Sequence, residues 1–402
     1  MRVKCGLEGI EGTTGIGHTR WATHGLVSSA NSHPHTDCSG KIAIIHNGII
    51  ENHRELREEL IARGHRFVSD TDSEVIAHLI EDRMSAIFRD RAEGEPNGNM
   101  ESVGPSFEPF GPFEEACFRA FERLKGSYAV LAISEGEEKI VGARKDSPLA
   151  VGVSEHGTFF ASDVSPFLEW TKEVVYLENH DIVVAEKGDV RFYNLQEGEV
   201  SRPVSTVEWN REEAEKGIFE HFMLKEISEQ AETIQRAILQ DAEVIGRIAG
   251  KIREGFGVFF VACGSSYNAC LSGTYLFSKV ARMHVNVVLA SEFENYEHFL
   301  TERTLVFAVS QSGETADVLD AVRAAKRRGS TIVSITNVMG SSLSREGDML
   351  IMMNSGPEVC VLSTKTYTSQ VVLMALGEGG LLHPHRGLCG RGAEARPIGP
   401  HR

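Results

Sequence analysis

Five short, almost purely apolar runs follow one another in the second half of the chain: residues 258–262 (VFFVA), 285–289 (VNVVL), 304–309 (TLVFAV), 331–335 (TIVSI) and 348–353 (DMLIMM). A strand with one solvated face alternates apolar and polar residues, whereas a strand apolar throughout needs cover on both faces. Helix-patterned sequence fills the intervals, so each connection is a parallel crossover. The spacing predicts a doubly wound parallel sheet.

In such sheets ligands collect beyond the carboxyl ends of the strands, where helix N-termini offer free amide donors. Two junctions have the composition for that role. One is Cys263-Gly264-Ser265-Ser266-Tyr267-Asn268 and the other Ser310-Gln311-Ser312-Gly313-Glu314-Thr315. Glycine allows close backbone approach, and small hydroxyls donate to phosphate oxygens. A third, Ser363-Thr364-Lys365-Thr366-Tyr367-Thr368-Ser369, opens the last apolar helix and adds an ammonium. Any one of them could be ordinary helix capping. Three in one sheet favour a phosphorylated ligand.

The first half is patterned differently. Short β-rich runs at 42–45, 128–134, 158–161 and 181–185 interleave with helical stretches at 51–63 and 73–87, predicting an α+β layered domain. Residues 93–112 are rich in Gly, Pro, Glu and Asn and predict a long surface loop. After the turn-rich 196–203, a helical region runs from 209 to about 253, with Ile218, Phe222, Ile227, Ile234 and Ile238 at helical intervals. Ahead of all this stands Gly17-His18-Thr19-Arg20-Trp21-Ala22-Thr23-His24-Gly25. A guanidinium, an indole, two imidazoles and two hydroxyls between glycines suit the wall of a pocket for a small anion.

Composition removes several classes of function. The chain has 402 residues and carries 41 Lys plus Arg against 57 Asp plus Glu, a net charge of −16, which argues against nucleic acid. Seven scattered cysteines with no CxxC pair fit a reduced, cytoplasmic protein. No run approaches the roughly 20 apolar residues of a membrane span. His24, His33, His35, Asp37, Cys38 and His46 invite a metal reading, but they lack the paired spacings of tetrahedral sites, so no metal and no cofactor is expected. Cys263 follows an apolar strand and reads as a small core residue rather than a nucleophile.

Taken together these motifs resemble one family. They are residues 14–25, His33-Pro34-His35, 46–52 (HNGIIEN), 70–74 (DTDSE), 221–227 (HFMLKEI), 263–268, 310–315 and 363–365. In this order, over roughly residues 10 to 375, they are similar to the isomerising glutamine:fructose-6-phosphate aminotransferases, the glucosamine-6-phosphate synthases. The resemblance implies an α/β protein: an incomplete glutaminase of N-terminal-nucleophile type at 1–205 and a helical connector at 206–254. A first sugar-isomerase (SIS) domain at 255–375 and an aberrant tail at 376–402 follow.

It further implies that Arg20 grips the α-carboxylate of glutamine, Asp72 holds its ammonium, and Asn47 with Gly48 forms an oxyanion hole. Trp21, Thr23 and His24 would line that site. Ser310, Gln311, Ser312 and Thr315 would bind the phosphate of fructose 6-phosphate, with Ser266 and Ser363 near its hydroxyls. The partners expected are these two small molecules and a second copy of the chain, with no nucleic acid and no membrane. A sugar-phosphate sensor with a degenerate glutaminase, or another class II amidotransferase, remains an alternative.

Two departures shape the expected activity. The family nucleophile is an N-terminal cysteine whose α-amine is the base, whereas this sequence reads Met1-Arg2-Val3-Lys4, and Cys5 has no free amine. The second sugar lobe has no counterpart, and the sequence beyond about residue 376 turns rich in Gly, Pro, Arg and His. The chain is therefore expected to be an inactive fragment. A glutaminase assay should show no glutamine-dependent ammonia release above the buffer blank, and release would overturn that expectation.

Overall fold

The computed structural model describes residues 12–19, 26–93, 110–207 and 215–382. The chain divides into two compact units, Met1–Glu208 and Trp209–Arg402. None of the described helices is long and apolar enough to cross a membrane.

The first unit is built on β1 (His35–Thr36), β2 (Ile42–Ile50), β3 (Gly126–Ser134), β4 (Lys139–Lys145), β8 (Asp181–Glu186), β9 (Asp189–Asn194) and β10 (Gly198–Val200). They form one sheet in that order, with each neighbouring pair of strands antiparallel. A second, four-stranded sheet has the order β11 (Val204–Thr206), β7 (Glu173–Tyr176), β5 (Ala150–Ser154), β6 (Gly157–Ala161). Strand alternation assigns each side chain to a layer. Tyr128, Val130, Ala132, Ile182 and Val184 share a core with helices α1 (His53–Ala62), α2 (Glu74–Glu93) and α3 (Pro112–Phe121). Their neighbours Ala129, Leu131 and Val183 join Leu149, Val151, Val175 and Leu177 between the sheets. Helices, sheet and sheet stack as three layers, as the mixed periodicities predicted. Pro112 sits at the start of α3, where its missing N–H costs nothing. Most of the loop expected before it, residues 94–109, lies outside the described residues.

The second unit contains the parallel sheet. Its strands are β12 (Val258–Ala262), β13 (Asn286–Leu289), β14 (Leu305–Val309), β15 (Thr331–Thr336) and β16 (Met349–Met352), in the order β13-β12-β14-β15-β16 and all parallel. The apolar runs divide residue by residue between two cores. Val258, Phe260, Ala262, Leu305, Phe307 and Val309 pack with α6 (Ala242–Glu254), α7 (Gly264–Leu276) and α10 (Lys365–Leu382). Phe259, Val261, Val306 and Ala308 pack with α8 (Ala316–Arg327) and Leu343 of α9 (Ser342–Glu346). Both faces are covered, which is why these strands carry no polar alternation.

Among the described residues, the helical region ahead of the sheet is three helices, α4 (Phe222–Ser228), α5 (Gln230–Ile238) and α6. Asp241 caps α6 by accepting from the amides of Glu243 at 2.7 Å and Val244 at 3.4 Å, which fixes the break. The expected apolar stripe does not form a buried face: Ile218 is 97% exposed, Ile227 43% and Ile238 45%. The helix expected to fade near residue 376 continues to Leu382.

Phe260 is fully buried between Phe277 and Phe307, with ring centroids 5.5 and 5.1 Å away. Phe260→Ala should lower the unfolding free energy of this unit by about 3–5 kcal/mol, read from urea denaturation.

Candidate functional site

The order β13-β12-β14-β15-β16 reverses direction between β12 and β14. At such a switch point the two adjoining crossovers run to opposite faces and leave a crevice at the carboxyl edge. Ala262 pairs with Val309, so both strands end level. The loops leaving them are the two serine-rich segments singled out in the sequence. Parallel register therefore places residues 263–268 beside residues 310–315.

Within the second loop the hydroxyls converge. Ser310 Oγ lies 2.8 Å from Thr315 Oγ1 and 3.5 Å from Ser312 Oγ, and it accepts the Gly313 amide at 3.1 Å. Ser312 Oγ accepts the Glu314 amide at 3.2 Å. Gly313 has φ +69°, and a Cβ there would run into Ser341 and Thr336, so the turn requires glycine. The Gln311 carbonyl accepts from Asn337 N at 3.0 Å and Thr336 Oγ1 at 3.3 Å, pinning the loop to the end of β15. The Glu314 carboxylate is turned onto Ser342, accepting its amide and hydroxyl at 2.8 Å each. Thr315 begins α8 without a side-chain cap, and Cys263 begins α7 in the same way. Two helix N-termini and a cluster of hydroxyls are donor groups of the kind that can receive an anion without a fixed cation. Ser266 is buried in the first turn of α7.

The third segment is arranged differently. Glu358 closes the start of α10, accepting from Thr364 N at 2.9 Å and Thr366 N at 3.2 Å. Lys365, 2% exposed, donates to Glu229 at 2.6 Å, so its ammonium belongs to an ion pair. Ser363 Oγ lies 2.7 Å from Thr366 Oγ1. Glu226 accepts the amides of Val359 and Cys360 at 2.7 and 3.0 Å, tying α4 to the same loop. Burial and Asp317, 3.7 Å from Cys263 Sγ, both push the Cys263 thiol up, which disfavours a nucleophilic thiolate.

A cleft of about 770 Å³ bordered by Arg247, Lys251, Lys326, Thr331 and Asp348 also opens in this unit. Thr331 starts β15, so the cleft lies at the amino edge of the sheet, away from the convergent hydroxyls.

In the first unit, β2 organises the predicted residues. Arg20, Trp21, Thr23 and His24 lie outside the described residues. Asn47 is exposed on β2, and Gly48 has φ +129°, where a Cβ would run into the Ser127 carbonyl. Asp72, 3% exposed, accepts the Ile50 amide at 2.8 Å. His46 Nδ1 lies 2.8 Å from Ser73 Oγ. These two bonds hold the 69–74 segment along β2, bringing Asp72 within three residues of Asn47 on the strand. Glu74 folds the segment by accepting from Val68 N, Ser69 N and Ser69 Oγ at 2.8, 2.8 and 2.6 Å. Those bonds and His78 hold its carboxyl down at about 2 against the opposing effect of burial. The His46–Ser73 and Ile50–Asp72 bonds join residues far apart in the chain and leave no local pattern by which to foresee them.

Residues 8–94 match the glutamine amidotransferase domain family, and residues 252–376 match the SIS domain family. The glutamine–fructose-6-phosphate aminotransferase (isomerizing) of Methanothermobacter thermautotrophicus is 45% identical over 92% of this chain and 58% of its own length. That of Thermococcus kodakarensis is 42% identical over 93% of this chain and 59% of its own. The chain thus spans under two thirds of the length of these relatives. The C-terminal domain of glucosamine-fructose-6-phosphate aminotransferase from Francisella tularensis superposes with a TM-score of 0.39 and 35% identity, over 42% of this chain and 50% of that one.

Burial drives the His46 imidazole down from 6.5 to about 4, against the Asp72 carboxylate that favours its charged form. Between those values the unfolded chain binds the proton and the folded chain does not, so stability falls as pH drops through that window. The loss should reach about 3 kcal/mol in the wild type. His46→Gln should remove that part of the slope in urea titrations run from pH 7 to pH 4.

Proposed function

The chain belongs to the glutamine–fructose-6-phosphate aminotransferase family, and we propose that it represents the part of such an enzyme that binds glutamine in its first unit and fructose 6-phosphate in its second. The reaction of the whole enzyme releases ammonia from the side-chain amide of glutamine. The ammonia is then used to convert fructose 6-phosphate to glucosamine 6-phosphate, leaving glutamate.

The observation that carries the reading is the hydroxyl cluster at the switch point. Ser310, Ser312 and Thr315 stand at the uncapped start of α8, with Ser266 on the neighbouring loop. Phosphate oxygens accept from hydroxyls and from the free amides of a helix N-terminus. The Gln311 side chain joins the phosphate contacts, and Ser266 and Ser363 extend the site toward the sugar hydroxyls.

In the first unit, Arg20 pairs with the glutamine α-carboxylate and Asp72 with its ammonium, while Trp21, Thr23 and His24 line the pocket. The Asn47 amide and the Gly48 N–H face the oxygen that becomes negative when the amide is attacked. Gly48 is suited to this place because its backbone conformation leaves no room for a side chain. The protein acts in the cytoplasm as a homodimer through its sugar-binding domain.

Calorimetry tests the reading directly. Fructose 6-phosphate should bind and fructose should not. Ser310→Ala combined with Thr315→Val should weaken binding by at least about 10-fold, since each hydrogen bond to a charged group contributes about 1.5–3 kcal/mol. A flat titration with fructose 6-phosphate, or unchanged affinity in the double variant, would remove the assignment.

A further inference from the structure

The histidine-rich segment before β2 contributes one residue to a cluster that its spacing does not reveal. Cys38 lies in the turn between β1 and β2, His65 follows α1, and His78 and Glu81 stand one turn apart on α2. One donor atom from each residue lies within 4.8 Å of all the others. We propose that Cys38, His65, His78 and Glu81 form a four-coordinate site for a zinc-class divalent transition-metal ion that fastens the β1–β2 turn and the segment after α1 to α2.

The distances suit a tetrahedral ion. Bonds of about 2.0–2.3 Å place ligand atoms roughly 3.3–3.8 Å apart. Cys38 Sγ is 3.7 Å from His65 Nδ1 and 3.5 Å from His78 Nδ1, and His78 Nδ1 is 3.3 Å from Glu81 Oε2. His65 Nδ1 and Glu81 Oε2, at 2.9 Å, are within hydrogen-bond distance, and an ion between them replaces that contact.

The surroundings are those of a ligand set. Each imidazole turns Nδ1 to the centre and Nε2 to a carboxylate: His78 Nε2 is 3.5 Å from Glu74 Oε1, and His65 Nε2 is 3.8 Å from Asp82 Oδ1. Carboxylates behind metal-bound histidines fix the ring and raise its basicity. The Arg66 amide donates to Cys38 Sγ at 3.3 Å, and the Cys38 amide donates to Glu81 Oε2 at 3.1 Å, both stabilising the anionic forms that bind metal. His78 is buried while Cys38 is exposed, so the site opens to solvent on the thiol side. A thiolate, two imidazoles and one carboxylate form a borderline-soft donor set that selects zinc over magnesium or calcium. The ion also bears on the glutamine pocket, because α2 begins at the segment that holds Asp72 against β2.

The test uses the full chain without a polyhistidine tag. Elemental analysis should find one zinc per chain. After chelator treatment, cobalt(II) titration should give the near-ultraviolet sulfur-to-cobalt charge-transfer band and the intense visible bands of a tetrahedral ion. Cys38→Ser should abolish the charge-transfer band, and His65→Ala, at a half-buried position, should weaken zinc binding at least about 10-fold. Cys360→Ser should leave both unchanged. Absence of stoichiometric zinc together with no charge-transfer band in the wild type, or retention of both in the Cys38 and His65 variants, would overturn the site.

Discussion

The parallel pairing of β12 with β14, level at Ala262 and Val309, is the constraint on which the second unit depends. A sheet of strands buried on both faces cannot slide by one residue without sending a core side chain into the opposite core. Phe260 and Val261 illustrate this, since they belong to different cores. Fixed register makes the two strands end together, and strands that end together at a switch point place their following loops side by side. The side-by-side placement of the two serine-rich loops is thus a consequence of core packing several residues away.

The first unit depends on a comparable anchor. β2 supplies a buried imidazole at His46 and a backbone amide at Ile50, and the 69–74 segment supplies Ser73 and Asp72 to meet them. A neutral His46 keeps this junction free of an unpaired buried charge, which would be costly at that depth. Glu74 then begins α2 while gathering three donors from the same segment. One short stretch of chain therefore closes the helix layer onto the sheet, holds Asp72, and starts the helix that carries His78 and Glu81.

Much of this was legible in the sequence, and for identifiable reasons. The five parallel strands were readable because burial on both faces demands uninterrupted apolar residues. The two serine-rich junctions were readable as strand-to-helix turns because each places glycine and small hydroxyls directly after an apolar run. The stripe from Ile218 to Ile238 misled, since periodicity says which residues can share a face but not that another element covers it. The segment 363–369 also differs in detail: Glu358 and Glu229 already hold its free amides and its ammonium. His65, His78 and Glu81 went unnoticed because their only local signal, a His and a Glu three apart on a helix, is common.

The sequence alone determined what is periodic or local: the layered first domain, the doubly wound second one and the glycine-bearing turns. Periodicity and turn chemistry are properties of neighbouring residues, so they survive in one dimension. Only the tertiary structure decided which distant groups meet. It put Asp72 on the Ile50 amide, Lys365 on Glu229, and Cys38 beside two imidazoles and a carboxylate. Such encounters depend on strand register and helix packing, which are fixed by the whole core at once and written in no single segment.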